Sequence, residues 1–113
     1  MSNAEPSTPM MTYLEDVAAL AEVQPASTVS RTVMQAEGAR LVLFTFDTGE
    51  RLTEHTAAIP VVLYVLEGHL QVTADGCTVD LRPGDIVHLG TRLPHAVEAL
   101  APSKLALLML DTR

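Results

Sequence analysis

The chain has 113 residues and a formal net charge of −7, with 48% hydrophobic and only 4% aromatic residues. A chain of this length supports one domain with a hydrophobic core, and its acidic balance disfavours nucleic acid as a partner. No apolar run approaches the roughly 18 residues of a membrane span, and the lone Cys77 cannot form an internal disulfide, so we expect a cytoplasmic protein without a membrane partner.

The first 24 residues predict a tail followed by one short helix. Residues 1–11 contain Ser, Pro, Thr and Met without periodic order, which is typical of a flexible tail. Thr12 and Glu15 have the spacing of a capping box, and apolar residues then recur at helical spacing. Because Pro25 disfavours helical geometry in the residue before it, we expect this helix to end by Gln24.

From Ser27 onward the hydrophobic pattern changes to alternating or fully apolar runs, each closed by a turn dipeptide. Asp75-Gly76 is the strongest hairpin signal, because a type I′ turn requires positive φ at both central residues. The run from Pro60 to Leu66 is almost wholly apolar, which favours a strand covered on both faces. The other strands are predicted at Thr28 to Gln35, Arg40 to Phe46, His69 to Ala74, Cys77 to Arg82, Asp85 to Leu89, His95 to Leu100 and Lys104 to Asp111. Eight or nine short strands with one helix indicate an all-β sandwich or barrel.

Four features of the β region follow one another at the spacing of a small barrel. They are His55, the Glu67-Gly68 dipeptide after an apolar run, the Pro83-Gly84-Asp85 turn, and Pro94-His95. Their order resembles the two motifs of the cupin family over roughly residues 40–110. The resemblance implies a double-stranded β-helix, the cupin jelly-roll barrel of the small RmlC-like type. It also implies a single cupin domain at residues 12–113, with a barrel core at about 28–111.

The resemblance further implies a metal site, which this sequence retains only in part. At the four usual ligand positions the chain has His55 and His95, but Ala57 replaces the second histidine and Val61 replaces the glutamate. Non-haem iron and catalytic zinc normally have three protein ligands, so two imidazoles hold a metal loosely. We therefore expect an incomplete site, with Zn, Ni, Fe, Mn or Cu as the candidate cofactors and none of them certain.

Strand alternation indicates where one of the two histidines points. In the predicted strand that begins at His95, Glu98 has the opposite parity and is expected to face water, so His95 should point into the barrel. The alternative is a core histidine that fixes the turn at Pro94. For His55 the alternative is an exposed loop residue, because the strand there is short and its parity is not defined.

The first functional hypothesis is that the barrel binds a small molecule, for which His55 and His95 are the orienting polar groups. Two further ligand-binding candidates are Arg92, whose planar guanidinium suits a carboxylate or phosphate, and Tyr64, whose hydroxyl would face the cavity. The candidates for an apolar cavity wall are Val61, Leu63, Val65, Val72 and Leu108.

The second hypothesis is a metal-dependent enzyme of the dioxygenase or isomerase type, in which a third ligand completes the site of His55 and His95. Glu54, Glu67 and His69 are the candidates that lie near in sequence. A third hypothesis is a metal-free barrel that acts only by association. In each case we expect a homodimer, because small cupins commonly pair and an apolar barrel gains stability by burying an outer face. The sequence specifies no catalytic residue, reaction or ligand.

Overall fold

Nine β-strands and one helical turn form the regular structure in the computed structural model, which describes residues 9–111. The turn is a 3₁₀ helix at Val17–Leu20. The strands are β1 (Thr28–Ala36), β2 (Ala39–Phe46), β3 (Arg51–His55), β4 (Val61–Glu67), β5 (Leu70–Ala74), β6 (Cys77–Leu81), β7 (Ile86–Leu89), β8 (His95–Ala99) and β9 (Ser103–Leu110). The predicted all-β class with a short N-terminal helix is confirmed.

The strands form two antiparallel sheets whose inner faces enclose the hydrophobic core. The larger sheet has the order β1-β2-β9-β4-β7, and the smaller sheet has the order β3-β8-β5-β6. Both sheets contribute to one buried cluster, formed by Phe46, Val61, Leu63, Val65, Leu70, Val72, Leu81, Leu89, Val97, Ala99, Leu105 and Leu107. No helix among residues 9–111 is long and apolar enough to cross a membrane.

The period of two along each strand decides which side chains enter this core. On β4, Val61, Leu63 and Val65 are buried, whereas Tyr64 points to the outer face and is 42% exposed. The prediction that this apolar strand is covered on both faces is therefore wrong. The Asp75-Gly76 hairpin is confirmed, since both residues have the positive φ values, 54° and 73°, that a type I′ turn requires.

The N-terminal helix is much shorter than the sequence predicts. It begins at Val17, so Thr12 and Glu15 do not form the predicted capping box. Asp16 precedes the helix with φ of 50°, and this left-handed conformation prevents the helical geometry from extending back toward Thr12. Most of the predicted tail, residues 1–8, lies outside the described part of the chain.

Two basic side chains hold this helical turn against the outer face of the larger sheet. Arg31 donates a hydrogen bond to the carbonyl oxygen of Leu20, and Lys104 donates to that of Ala18, each over 2.6 Å. Lys104 is buried and its Nζ lies 3.9 Å from a carboxylate oxygen of Glu67. Two cationic side chains thereby donate hydrogen bonds to carbonyl oxygens of the turn, and their charges also interact favourably with its dipole.

The connections between strands collect at two opposite ends of the sandwich. One end, here named the mouth, contains the connections at residues 37–38, 56–60, 75–76 and 90–94 together with the end of β9. The other end, named the base, contains those at residues 47–50, 68–69, 82–85 and 100–102. His55 is the last residue of β3 and His95 is the first residue of β8, so both lie at the mouth.

Candidate functional site

A β-bulge brings His55 to the inner face of the smaller sheet. Leu52 is opposite Val97 and His55 is opposite His95, so three residue steps on β3 match only two on β8. The extra residue reverses the alternation, and His55 therefore shares the inner face with Leu52. Without the bulge, the side chain of His55 would point outward.

The two imidazole rings meet at this position. Their centroids are 4.4 Å apart and their planes are inclined by 60°, an edge-to-face arrangement. His95 is only 3% exposed, whereas His55 is exposed at the rim of the mouth. The pair therefore extends from the buried interior to the solvent-exposed rim of the mouth.

Both rings are oriented in the same way by the backbone. Nδ1 of His55 lies 2.8 Å from the carbonyl oxygen of Thr53, and Nδ1 of His95 lies 2.9 Å from that of Leu93. A carbonyl oxygen only accepts hydrogen bonds, so each Nδ1 carries the proton and donates it. In the neutral imidazoles each Nε2 then has a free lone pair, and neither Nε2 has a hydrogen-bond partner among residues 9–111.

The loops that carry the two histidines are tied together by Arg92. Its backbone N–H donates to the carbonyl oxygen of Ala57 over 2.8 Å, which links the β7–β8 loop to the β3–β4 loop. Arg92 adopts a left-handed conformation with φ of 62°, an uncommon geometry for a residue with a side chain. The structure therefore places Arg92 at the mouth with the histidine pair, and its side chain is exposed.

Tyr64 is the one proposed ligand-binding residue that does not lie at the mouth with the pair. It belongs to the outer face of the larger sheet, in a shallow groove of about 380 Å³ that it shares with Leu108. The other four predicted wall residues, Val61, Leu63, Val65 and Val72, are buried in the core. Tyr64 and Leu108 therefore lie outside the interior between the sheets, whereas Val61, Leu63, Val65 and Val72 face it.

A smaller recess lies next to Ala74, which is directly opposite His95 in the register of β5 and β8. Its volume is about 210 Å³, and its lining includes the apolar residues Leu89 and Leu93 together with Asp75 and His88. Neither histidine of the pair lines this recess.

Sequence comparison assigns this architecture. A profile of the cupin domain matches residues 42–111. The chain belongs to the cupin family. No curated protein matches this cupin significantly.

Solved structures agree with the family assignment. This cupin is similar to a conserved protein of unknown function from Streptococcus pyogenes, with a TM-score of 0.80 and 19% identity over 95% of this chain and 94% of that one. A cupin superfamily protein from Desulfitobacterium hafniense gives a TM-score of 0.79 and 22% identity over 95% and 98% of the two chains. KdgF from Halomonas sp. gives a TM-score of 0.72 and 26% identity over 82% of this chain and 87% of that one. These likenesses establish the fold.

The donor set of this cupin fits two ligands of a metal centre and lacks a third. No group of three or more His, Cys, Asp or Glu residues within the described range 9–111 is arranged to hold a metal ion. Glu54 lines a hollow on the outer face of the smaller sheet. Glu67 and His69 lie at the base, where Glu67 approaches Lys104 and His69 approaches Asp80 at 3.7 Å. None of the three predicted candidates therefore joins the pair.

Proposed function

We propose that this cupin binds a small molecule at the mouth of the barrel, where Nε2 of His55 and Nε2 of His95 accept hydrogen bonds from it. The observation that carries this proposal is the adjacent pair of imidazoles, whose Nδ1 atoms are oriented by backbone carbonyls and whose Nε2 atoms have no hydrogen-bond partner among residues 9–111. A neutral Nε2 accepts a hydrogen bond, so the pair favours a ligand that carries a donor, such as a hydroxyl group.

The recess supports a ligand of limited size. Its volume of about 210 Å³ lies below the roughly 300–1,000 Å³ of sites that take drug-sized compounds. Its apolar lining suits a short hydrocarbon or a single ring placed against Leu89 and Leu93. A compound with a hydroxyl group next to such a body matches both parts of the site.

The experiment compares mandelamide with phenylacetamide, which differs only in lacking the hydroxyl group. Binding is followed by NMR through the ring signals of His55 and His95. We expect mandelamide to shift both signals with about tenfold higher affinity, since one hydrogen bond is worth about 1.4 kcal/mol. His55→Ala should remove the difference between the two amides, whereas His69→Ala, at the base, should preserve it.

Two results would count against this function. One is equal affinity of the two amides for the wild-type protein. The other is mandelamide binding that His55→Ala and His95→Ala leave unchanged. Either result would mean that the two Nε2 atoms are not the acceptors used by a ligand.

A metal-dependent reaction is the second candidate function, and the orientation of the rings supports it. Histidines that ligate metals usually donate their other ring N–H to a carbonyl or carboxylate, as both of these do. His55 and His95 would together hold one divalent transition metal ion through their Nε2 atoms, and the metal would supply Lewis acidity. Elemental analysis of the purified protein decides between the two functions: stoichiometric metal that both His→Ala variants lose favours the enzyme, and metal-free protein that binds mandelamide favours the ligand-binding module.

We also propose that two copies pair through the outer face of the larger sheet. The groove there is lined only by apolar residues, and its members Tyr64 and Ile86 are 42% and 64% exposed. Val17 borders the same groove and follows a stretch with three exposed apolar side chains, Met10, Met11 and Tyr13. Each copy thus offers an apolar groove and an apolar segment of its own beside it, which suits a symmetric contact.

Sedimentation of Tyr64→Asp tests this pairing. A carboxylate in the groove should convert a dimer to a monomer at micromolar concentration, because the charge would be buried without a partner. The control is Leu100→Asp, which places the same charge at an exposed position of the base. Equal sedimentation of the wild-type protein and Tyr64→Asp would refute the pairing.

A further inference from the structure

The recess next to Ala74 lies between the free edges of the two sheets. β6 is the last strand of the smaller sheet and β7 is the last strand of the larger one, and both strands line the recess. The register places Val79 opposite Val72 and Cys77 opposite Ala74, so the two β6 residues face inward. Val79 is nevertheless 47% exposed and Cys77 is exposed, because no strand follows β6 in the sheet. The inner apolar surface is therefore open to solvent at this edge.

One carboxylate lines this apolar surface. Asp75 follows Ala74 in the hairpin turn and belongs to the lining of the recess. Among residues 9–111, no Lys or Arg nitrogen lies within 4.0 Å of the carboxylate of Asp75, and no hydrogen bond is donated to it. By contrast, the carboxylates of Asp47, Asp80 and Asp85 each accept a hydrogen bond from the protein. The recess thus presents a negative charge that has no partner in the described part of the chain.

The other polar side chains of the recess do not neutralise this charge. They are His88, which belongs to the larger sheet, and Cys77, and the lining contains neither lysine nor arginine. A neutral imidazole accepts a hydrogen bond through its unprotonated nitrogen. The chain as a whole has a formal net charge of −7, which attracts cations and repels anions. The charges therefore favour a cation in the recess.

We propose that the recess binds a small primary amine, whose ammonium group pairs with Asp75 and whose apolar body lies against Val79, Leu89 and Leu93. This inference rests on the proposed placing of the apolar body of the ligand in the recess, and it adds the charge of that ligand. An ammonium group has three N–H donors and no acceptor, which suits a carboxylate together with the imidazole of His88. The apolar body would cover the exposed surface of Val79, and this burial favours binding.

The test compares benzylamine with benzyl alcohol, which has nearly the same size and no charge. The recess volume of about 210 Å³ exceeds the roughly 150 Å³ of an apolar cavity that binds benzene, so a single ring fits. Binding is followed in the full chain by NMR through the backbone amide signals of Ala74, Val79 and Leu93. We expect benzylamine to bind there about fivefold more tightly, as an ion pair at a partly exposed position allows. Added NaCl should reduce this preference, because salt screens exposed charges.

Variants separate Asp75 from the overall charge of the chain. Asp75→Asn removes the carboxylate and retains the turn, because asparagine adopts the left-handed φ of 54°. It should weaken benzylamine about fivefold and leave benzyl alcohol unchanged. The matched control is Glu37→Gln, which removes the same charge from the β1–β2 turn of the mouth, outside the recess lining. It should change the affinity for benzylamine by less than about twofold. Thermal unfolding of both variants verifies that the fold is retained.

The outcomes distinguish this inference from the proposed function, which is followed through the ring signals of His55 and His95. If mandelamide shifts both rings but benzylamine and benzyl alcohol bind equally at the recess, the function stands and the assignment of Asp75 is overturned. Equal losses of benzylamine affinity in Asp75→Asn and Glu37→Gln would also overturn it, since the overall charge would then explain the preference. If the preference depends on Asp75 and mandelamide shifts neither ring, the recess binds an amine and the function of the histidine pair fails.

Discussion

The two ends of the barrel use their polar groups differently. At the base, Ser103 Oγ accepts a hydrogen bond from the backbone N–H of His69 and donates to the carbonyl oxygen of Ala101. Backbone bonds from Gly49 and Ala99 close the same end. At the mouth, Nε2 of His55 and of His95 has no hydrogen-bond partner among residues 9–111, and the two rings contact each other edge to face.

This difference indicates which polar atoms are available to a ligand. A hydrogen bond completed inside the protein stabilises the fold and occupies its donor and its acceptor. The Nε2 atoms of the two imidazoles at the mouth are not occupied in this way among residues 9–111, and we propose that they bind the ligand. The base also contains a buried atom without a hydrogen-bond partner in the described residues, Nε2 of His69, which lies 3.7 Å from Asp80.

The largest expected effect is at the base, for Gly68→Ala. Gly68 has φ of 91°, and an added Cβ would overlap Oγ and Cα of Ser103 and the carbonyl oxygen of Pro102. Backbone atoms cannot move aside as a flexible side chain does, so we expect a loss of about 3 kcal/mol or more in the free energy of unfolding. Denaturant unfolding measures it.

The matched control is Gly76→Ala in the hairpin at the mouth. Gly76 also has positive φ, but an added Cβ would meet nothing within 4 Å. Only the conformational cost remains, about 1 kcal/mol. Equal losses for Gly68→Ala and Gly76→Ala would contradict the close packing that we assign to the base.

The next effect contrasts the two histidines of the mouth. His95→Ala should lower the free energy of unfolding by about 2 kcal/mol, because it removes a buried ring and its bond to Leu93. His55→Ala should change it by less than about 0.5 kcal/mol, since His55 is exposed. Both variants should lose mandelamide binding. If His55→Ala destabilised the protein as much as His95→Ala, its role would be structural.

A smaller change of opposite sign is expected for Arg92→Gly. Glycine adopts a φ of 62° without the steric cost of a Cβ, so the free energy of unfolding should rise by about 0.5–1 kcal/mol. The backbone bond to Ala57 needs no side chain and should persist. Unfolding by urea tests this, and a decrease in stability would mean that the side chain of Arg92 contributes more than its backbone strain costs.

The smallest expected change in the free energy of unfolding concerns Asp47 at the base, and this change depends on pH. Backbone N–H groups of Ala26 and Thr48 donate to its carboxylate and hold the pKa of Asp47 below its usual value of 3.8. A lowered folded-state pKa contributes stability that is present above the unfolded pKa and is lost as the pH falls through the folded one. Asp47→Asn should therefore be less stable than the wild type at pH 7, and the gap should narrow below about pH 3.8. A stability difference between the wild type and Asp47→Asn that does not change with pH would contradict a lowered pKa of Asp47.

Strand alternation was sufficient to predict the buried side of β8 and hence the orientation of His95. The same reasoning fails on β3, because the bulge between Leu52 and His55 reverses the parity without any sequence signal as strong as Asp75-Gly76.

Other differences come from tertiary contacts that local patterns do not encode. The capping spacing of Thr12 and Glu15 predicts a longer helix, but the left-handed Asp16 and the hydrogen bonds of Arg31 and Lys104 limit it to one turn. The cupin motifs correctly indicated the fold, and the structure brings His55 and His95 together as the closed barrel requires.

The most direct test of the site is the tautomer of its two imidazoles, measured by long-range ¹H–¹⁵N NMR on the neutral form of each ring. The structure predicts that His55 and His95 both carry the proton on Nδ1, with Nε2 as the acceptor, and that mandelamide shifts the Nε2 resonance of each. A proton on Nε2 of either ring would direct a donor toward the ligand in place of a lone pair and would contradict the account.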